Sequence, residues 1–278
     1  MQSRFTTGWA FWLSAVAAAA ALGGTPLHGE TLTIPGTGAC EPIVAELAEA
    51  FNRANPVDRV SVPASTGSGG GIAAVLKGET PLARVARPLK AAEEHEGLVR
   101  LPFARDVVVF VVGKGVKVRS LSVPQLAAIF SGKITDWQGV GGAPGPIRVV
   151  TREAGDSSLI VIQDRLEPFR TLSFSPQAKV LLYDRITVET LDKYKNSIGF
   201  VTHSSLRWSR GGLSPIALDG IAPTRENFRS GRYPLEEHYA FVTRETPGPL
   251  AERFLAFVYS PAGRGIIEQR GMIALERR

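Results

Sequence analysis

The chain has a single cysteine, Cys40, among 278 residues. An internal disulfide is therefore excluded, and packing and hydrogen bonding must hold the fold. Histidine is nearly as scarce: beyond the N-terminal stretch only His95, His203 and His238 occur, in no metal-ligand spacing. That leaves zinc chemistry and a Cys–His nucleophile without a local signature. The net charge of +6 comes without any run of lysine or arginine, which argues against a nucleic-acid arm. The charge is scattered and modestly favours anions. After residue 22 no apolar run approaches the roughly 20 residues of a membrane helix. No low-complexity linker or solenoid repeat divides the chain.

What is present begins with a leader. Arg4 is the one charge ahead of the alanine-rich run Ala10 to Leu22, and small residues follow. Residues 1–29 read as a secretory signal peptide cut near Gly29, with Ala21 to Gly24 as a second exit and an uncleaved anchor as the alternative. The expected location is the periplasm. The rest, in a chain 44% hydrophobic and 21% charged, is ordinary globular sequence large enough for two lobes.

A strand–loop–helix unit recurs three times. Thr31 to Ile34 leads through Pro35 to Cys40 into a helix carrying Ile43, Val44, Leu47, Ala48 and Phe51 on one face. Val60 to Ser65, the loop Thr66 to Gly71 and Ile72 to Leu76 form the second unit. Ile147 to Thr151, Arg152 to Asp156 and Ser157 to Leu166 form the third. The pattern predicts an α/β fold. Asp106 to Val112 reads as a strand buried on both faces, and Leu121 to Phe130 as a helix opened by Ser122 and closed at Gly132. Gly220 to Pro234 reads as irregular, Tyr239 to Thr243 as a strand, and Leu250 to Val258 as a helix ended at Pro261.

Each glycine-rich loop opens a helix, where exposed N–H groups can hold an anion without a lysine. Gly67-Ser68-Gly69-Gly70-Gly71 lacks the spacing of dinucleotide and nucleoside-triphosphate loops. Plain turn punctuation remains the competing reading for any one of these loops.

Several blocks carry a resemblance. Gly36-Thr37-Gly38-Ala39-Cys40-Glu41-Pro42, Gly67 to Ile72, Ala86-Arg87-Pro88-Leu89, Ile129 to Trp137, Asn196 to Val201, and Asp219 to Leu235 follow one another in family order. Together they resemble the phosphate-binding PstS family of solute-binding proteins. The resemblance implies a two-lobed type II periplasmic binding fold with a hinge of two crossings. One lobe would be residues 31–105 plus 236–278, the other 106–235, with crossings near Arg105-Asp106 and Tyr233 to Glu237. It implies capture of a small oxyanion, phosphate first, by a monomer that is no enzyme and needs no cofactor. The partner would be an ABC permease or a membrane sensor, with no nucleic acid. A hydrolase is the competing function class.

The family's contacts carry over to Cys40, Glu41, Ser68, Arg152, Asp156, Ser157 and Ser158, in part with altered chemistry. Ser68 keeps a hydroxyl, and Arg152 a guanidinium able to bind an oxyanion through two N–H groups. Ser157 offers a backbone N–H and Ser158 a hydroxyl. Glu41 falls where the family uses a backbone N–H, so its side chain is free to point elsewhere. Ala86 replaces a serine or aspartate. Asp156 replaces a serine and is either an acceptor for a ligand proton or a helix cap. Cys40 replaces a threonine. It is an inert small hydrophobe, a weak donor, or a thiolate ligand for a soft oxyacid such as arsenite.

Overall fold

A computed structural model describes residues 29–277. The leader expected over residues 1–29 therefore lies, up to residue 28, outside the described residues. All three strand–loop–helix units are present. Strand Thr31–Thr33 leads to helix Glu41–Ala54, Arg59–Ser61 to Gly67–Leu76, and Arg148–Arg152 to Ser157–Arg165. In the first helix Ile43, Val44, Leu47, Ala48 and Phe51 form the inward stripe.

The second unit departs from expectation. Its glycines do not precede the helix but build its first turns, beginning at Gly67. Glycine weakens a helix interior, and close packing explains its use at Gly71. A Cβ there would stand 2.8 Å from the Cα of Gly36. Gly36 is constrained in turn, with φ +140° and the Arg84 carbonyl 1.9 Å from any added Cβ. The first two loops thus press backbone on backbone.

The central strand is Leu98–Gly113, 16 residues long, of which the expected Asp106 to Val112 is the interior. Its first part pairs antiparallel with Glu236–Arg244, from Leu98 opposite Arg244 to Val107 opposite Glu236. From Val108 onward it pairs with Ser197–Thr202 instead. The main sheet runs Leu82–Val85, Glu236–Arg244, Leu98–Gly113, Ser197–Thr202, Arg148–Arg152, Lys179–Leu181. Val107 through Val112 are all buried, as a strand covered on both faces requires.

Two groups of apolar cores form on this sheet. The buried members of one all lie between Val107 and Leu235, and Phe110, Phe130, Phe169 and Phe200 sit at its centre. Phe110 meets the other three rings at centroid distances of 5.8, 6.1 and 6.1 Å. The buried members of the other two cores come from Leu32 to Ala104 and from Tyr239 to Met272, with Phe103 stacked on Phe241 at 4.6 Å.

Local signals explain most element ends. Ser122 caps helix Val123–Phe130 in a reciprocal box with Gln125. Pro261 does not end a helix by itself. Helix Pro249–Tyr259 stops, Ser260 caps anew, and Pro261 opens Pro261–Gln269, where a missing N–H costs nothing. The stretch read as irregular holds a short helix, Arg225–Arg229, capped by Thr224. Helix Asp184–Lys193 buries only Thr187, Val188 and Leu191, too thin an apolar stripe to stand out in sequence.

Because Phe110 joins three rings in one core, Phe110→Ala should destabilise by about 3–5 kcal/mol through lost transfer energy and a residual cavity. Urea unfolding followed by tryptophan fluorescence measures this. A loss under about 1 kcal/mol would show that the core collapses around the gap.

Candidate functional site

The first two loops are joined through a residue that the sequence pattern does not flag. Arg84 is wholly buried. Its Nε donates to the Thr37 carbonyl at 2.9 Å and one Nη to the Ile34 carbonyl. The other Nη donates to the Pro63 carbonyl at 2.7 Å and to Glu41 Oε2 at 3.0 Å. Burial pulls the guanidinium pKa down, and Cys40 and Glu41 hold it up. Backbone bonds complete the join, from Thr37 N to Arg84 O at 3.1 Å and from Thr66 N to Gly36 O at 3.0 Å. The available signal was a lone arginine inside the apolar run Leu82-Ala83-Arg84-Val85.

The expected contacts can now be placed. The Glu41 side chain turns to Arg84, leaving the start of its helix to backbone groups. Ser68 Oγ accepts from Ala86 N at 3.2 Å, bringing the second loop to the Ala86 block. Cys40 is fully buried among Ile34, Val44 and their neighbours, with no side-chain cap bond. Burial pushes its thiol up to about 12. That is the small-hydrophobe reading, and it leaves the thiolate reading without support.

Arg152 ends its strand 7% exposed. Its guanidinium is held by Asp156 Oδ2 at 2.6 Å, by the Leu182 carbonyl at 2.9 Å and by Asp184. Burial lowers its pKa, but Asp184 and Asp156 outweigh burial and the net shift is upward. Asp184 is fixed in turn by the hydroxyls of Thr202 and Ser205, each at 2.8 Å. Asp156 caps helix Ser157–Arg165 by accepting from Leu159 N at 3.1 Å. Both its oxygens are engaged, which is the capping reading. Burial pushes it up to about 6 against the pull of Arg152.

Ser158 reaches across to the other side. Its Oγ donates at 3.2 Å to Oε2 of Glu237. Glu237 is wholly buried and stands directly opposite Asp106 in the antiparallel register. Glu237 also acts electrostatically on Cys40 and Arg152, so it lies where the first and third loops face one another. Burial raises Glu237 well above the usual carboxylate range and Asp106 to about 6, with neighbouring carboxylates adding to both. Asp106 accepts from Val107 N at 2.8 Å and Ser204 N at 3.3 Å. Asp106, Asp184 and Glu237 were missed because an isolated acid beside an apolar run or at an element start looks like an ordinary solvated charge. Among the described residues no group of His, Cys, Asp and Glu has metal-binding geometry, and no helix is long and apolar enough to cross a membrane. A hollow of about 550 Å³ beside Arg225, Glu226, Arg229 and Ser230 lies on a five-residue helix away from these loops.

Comparisons with known proteins span most of the chain. A family described as PBP superfamily domain matches residues 16–262. The phosphate-binding protein PstS of Borreliella burgdorferi is 25% identical over 252 residues, covering 88% of this chain and 90% of its own. That of Bacillus subtilis is 28% identical over 254 residues, covering 87% and 80%. Among solved structures, a Clostridium perfringens substrate-binding protein ascribed to a phosphate ABC transporter, with phosphate bound, superposes with a TM-score of 0.79. It is 25% identical over 88% of this chain and 100% of its own. An ABC-type phosphate transport receptor from Vibrio cholerae gives 0.72 at 26% identity, over 87% and 99%.

Asp106→Asn tests the electrostatics. With its pKa raised to about 6 from 3.8, the native state binds more protons than the unfolded state between those values. Its contribution to stability is full below the unfolded pKa and is lost as pH rises through about 6. Relative to the parent, Asp106→Asn should therefore gain on the order of a few kcal/mol between about pH 4 and pH 7. Parallel denaturation curves at both pH values measure the difference. A constant difference would mean that Asp106 titrates alike in the folded and unfolded chain.

Proposed function

Since the chain belongs to the PBP superfamily domain family and folds as a two-lobed type II periplasmic binding protein, we propose that it is an exported receptor that captures a phosphate-class oxyanion between its lobes. The lobes are residues 31–105 with 236–278, and residues 106–235. They meet at Arg105-Asp106 and Tyr233 to Glu237, where the apolar cores change over. The contact set is Ser68, Arg152, Ser157 and Ser158, with backbone N–H groups at the start of helix Glu41–Ala54. Cys40 and Asp156 serve as core and cap. The partner is an ABC permease, in line with the transporter named for the Clostridium protein.

One observation carries this reading. Arg152 is buried and held by two carboxylates and a carbonyl, four residues ahead of Asp156, the N-cap of a helix that begins at Ser157. A guanidinium beside a helix N-terminus is suited to a tetrahedral oxyanion. Tethering beforehand cuts the entropy it would otherwise lose on binding. Anion recognition here depends on few positive charges. Arg152 is matched by two acids, so the ligand must be held largely by directed N–H and O–H donors.

Arg152→Ala should weaken phosphate binding by more than about tenfold, since truncating one member of a buried charged contact costs about 2–5 kcal/mol. Calorimetric titration with phosphate, sulfate, arsenate and arsenite gives the ligand class at the same time. Unchanged phosphate affinity in the variant would take Arg152 out of the site. A preference for arsenite would move the receptor to a different oxyacid.

A further inference from the structure

The site is rich in acids for one that takes an anion. Asp156, Asp184 and Glu237 act on Arg152, and Asp106 stands opposite Glu237; the four differ sharply in how they are satisfied. Both oxygens of Asp156 are engaged, by Leu159 N and by Arg152. Asp184 pairs with Arg152 and takes two hydroxyl donors. Glu237 takes the Ser158 hydroxyl on Oε2 and also feels the Ser157 hydroxyl, which favours its charged form but is outweighed by burial. Its Oε1 is buried without a hydrogen-bond partner. Among the described residues no ion pair reaches Glu237 or Asp106.

Three constraints on Glu237 converge. It is 0% exposed, and an isolated carboxylate out of water is far costlier than its protonated form. It faces Asp106 directly across an antiparallel pair, where two like charges repel. Arg152, on which it acts electrostatically, is already held by Asp156 and Asp184. A carboxyl so placed is neutral and carries an O–H. Ser158 donates to Oε2, so the hydrogen belongs on the unpartnered Oε1. A neutral carboxyl is a donor without charge, the group an acid-rich anion site lacks.

We propose that Glu237 is a ligand-contacting residue which, as a neutral carboxylic acid, donates its Oε1 hydrogen to the bound oxyanion and so makes ligand capture depend on one proton. The proposal rests on the oxyanion reading above. No bond to the ligand is made or broken covalently; the proton lies in the hydrogen bond between Oε1 and a ligand oxygen. Above the pKa of Glu237 the proton leaves to solvent, a carboxylate faces the anion, and affinity falls. The other titrating or charged groups facing this carboxyl are Asp106, Asp156, Asp184, Arg152, Tyr239 and Cys40. None of them is altered in the variants below.

The test is titration of inorganic phosphate into the parent, Glu237→Gln and Glu237→Leu at several pH values. Taking the ratio of parent to variant at each pH cancels the ionisation of phosphate itself. Glutamine keeps an uncharged donor at all pH values, so it should bind within about threefold of the parent near pH 6 and outbind it by about tenfold or more near pH 9. Leucine removes the donor, and near pH 6 it should lose about tenfold or more in affinity while its melting temperature stays at or above the parent's. A parent-to-glutamine ratio that does not change with pH would overturn the proposal, as would a leucine variant that binds like the parent. If the parent itself binds no oxyanion at any pH, the oxyanion reading falls and this proposal falls with it. That outcome is seen in the parent alone, before any variant is compared.

Discussion

The register between Leu98–Gly113 and Glu236–Arg244 is the constraint on which the rest depends. These two strands pair antiparallel through the stretch where the chain leaves one set of apolar cores for the other. At Val108 the long strand changes partner to Ser197–Thr202. One strand therefore pairs within both sets of cores, and it changes partner where the cores change over. Because opposite residues of an antiparallel pair share a face, the same register sets Asp106 against Glu237 at the boundary. A one-residue slip of either strand would turn one of the two carboxyls to the opposite face, so fold and site are fixed together.

Around this joint the loops are positioned by different means. The first two are locked by backbone approach at Gly36 and Gly71 and by the Arg84 guanidinium, whose donors satisfy three carbonyls that bending the chain would otherwise leave unpaired. The third is locked from within, by the capping bond of Asp156 and the ion pairs of Arg152. Neither arrangement needs a disulfide, in keeping with the single cysteine. Buried polar networks of this kind carry a cost if any member is left unsatisfied, which is why the unpartnered oxygens of Asp106 and Glu237 stand out.

The sequence disclosed the α/β class, the three strand–loop–helix units and the Val-rich strand because each rests on local periodicity or a cap. Ser122 and Gly132 bound their helix as their chemistry requires. It misplaced Gly67 to Gly71 because a glycine run looks like a loop, whereas tertiary contact with Gly36 makes it a helix. Within the site, Ser68, Arg152 and Ser158 were legible because they sit in motif positions. Arg84, Asp184 and Glu237 were not, since their roles come from partners 43, 32 and 79 residues away. No window of sequence shows such pairings.

The placement of Cys40 and Asp156 changes the logic of recognition. Each stood between ligand contact and scaffold, and in the structure one fills the core while the other caps a helix and tethers Arg152. The departures from the family pattern thus do not simply subtract donors from the site. Asp156 places acidity on the scaffold that holds Arg152, and in the proposed site hydroxyls, backbone N–H groups and a carboxyl are what faces the ligand. Where such uncharged donors are buried they are strengthened by the low local dielectric, while an extra cation would have to be desolvated as well. A site built this way can hold an anion with its net charge near or below neutral. Whether it does so is then governed by how many protons its carboxyls retain, so protonation and capture are two sides of one equilibrium.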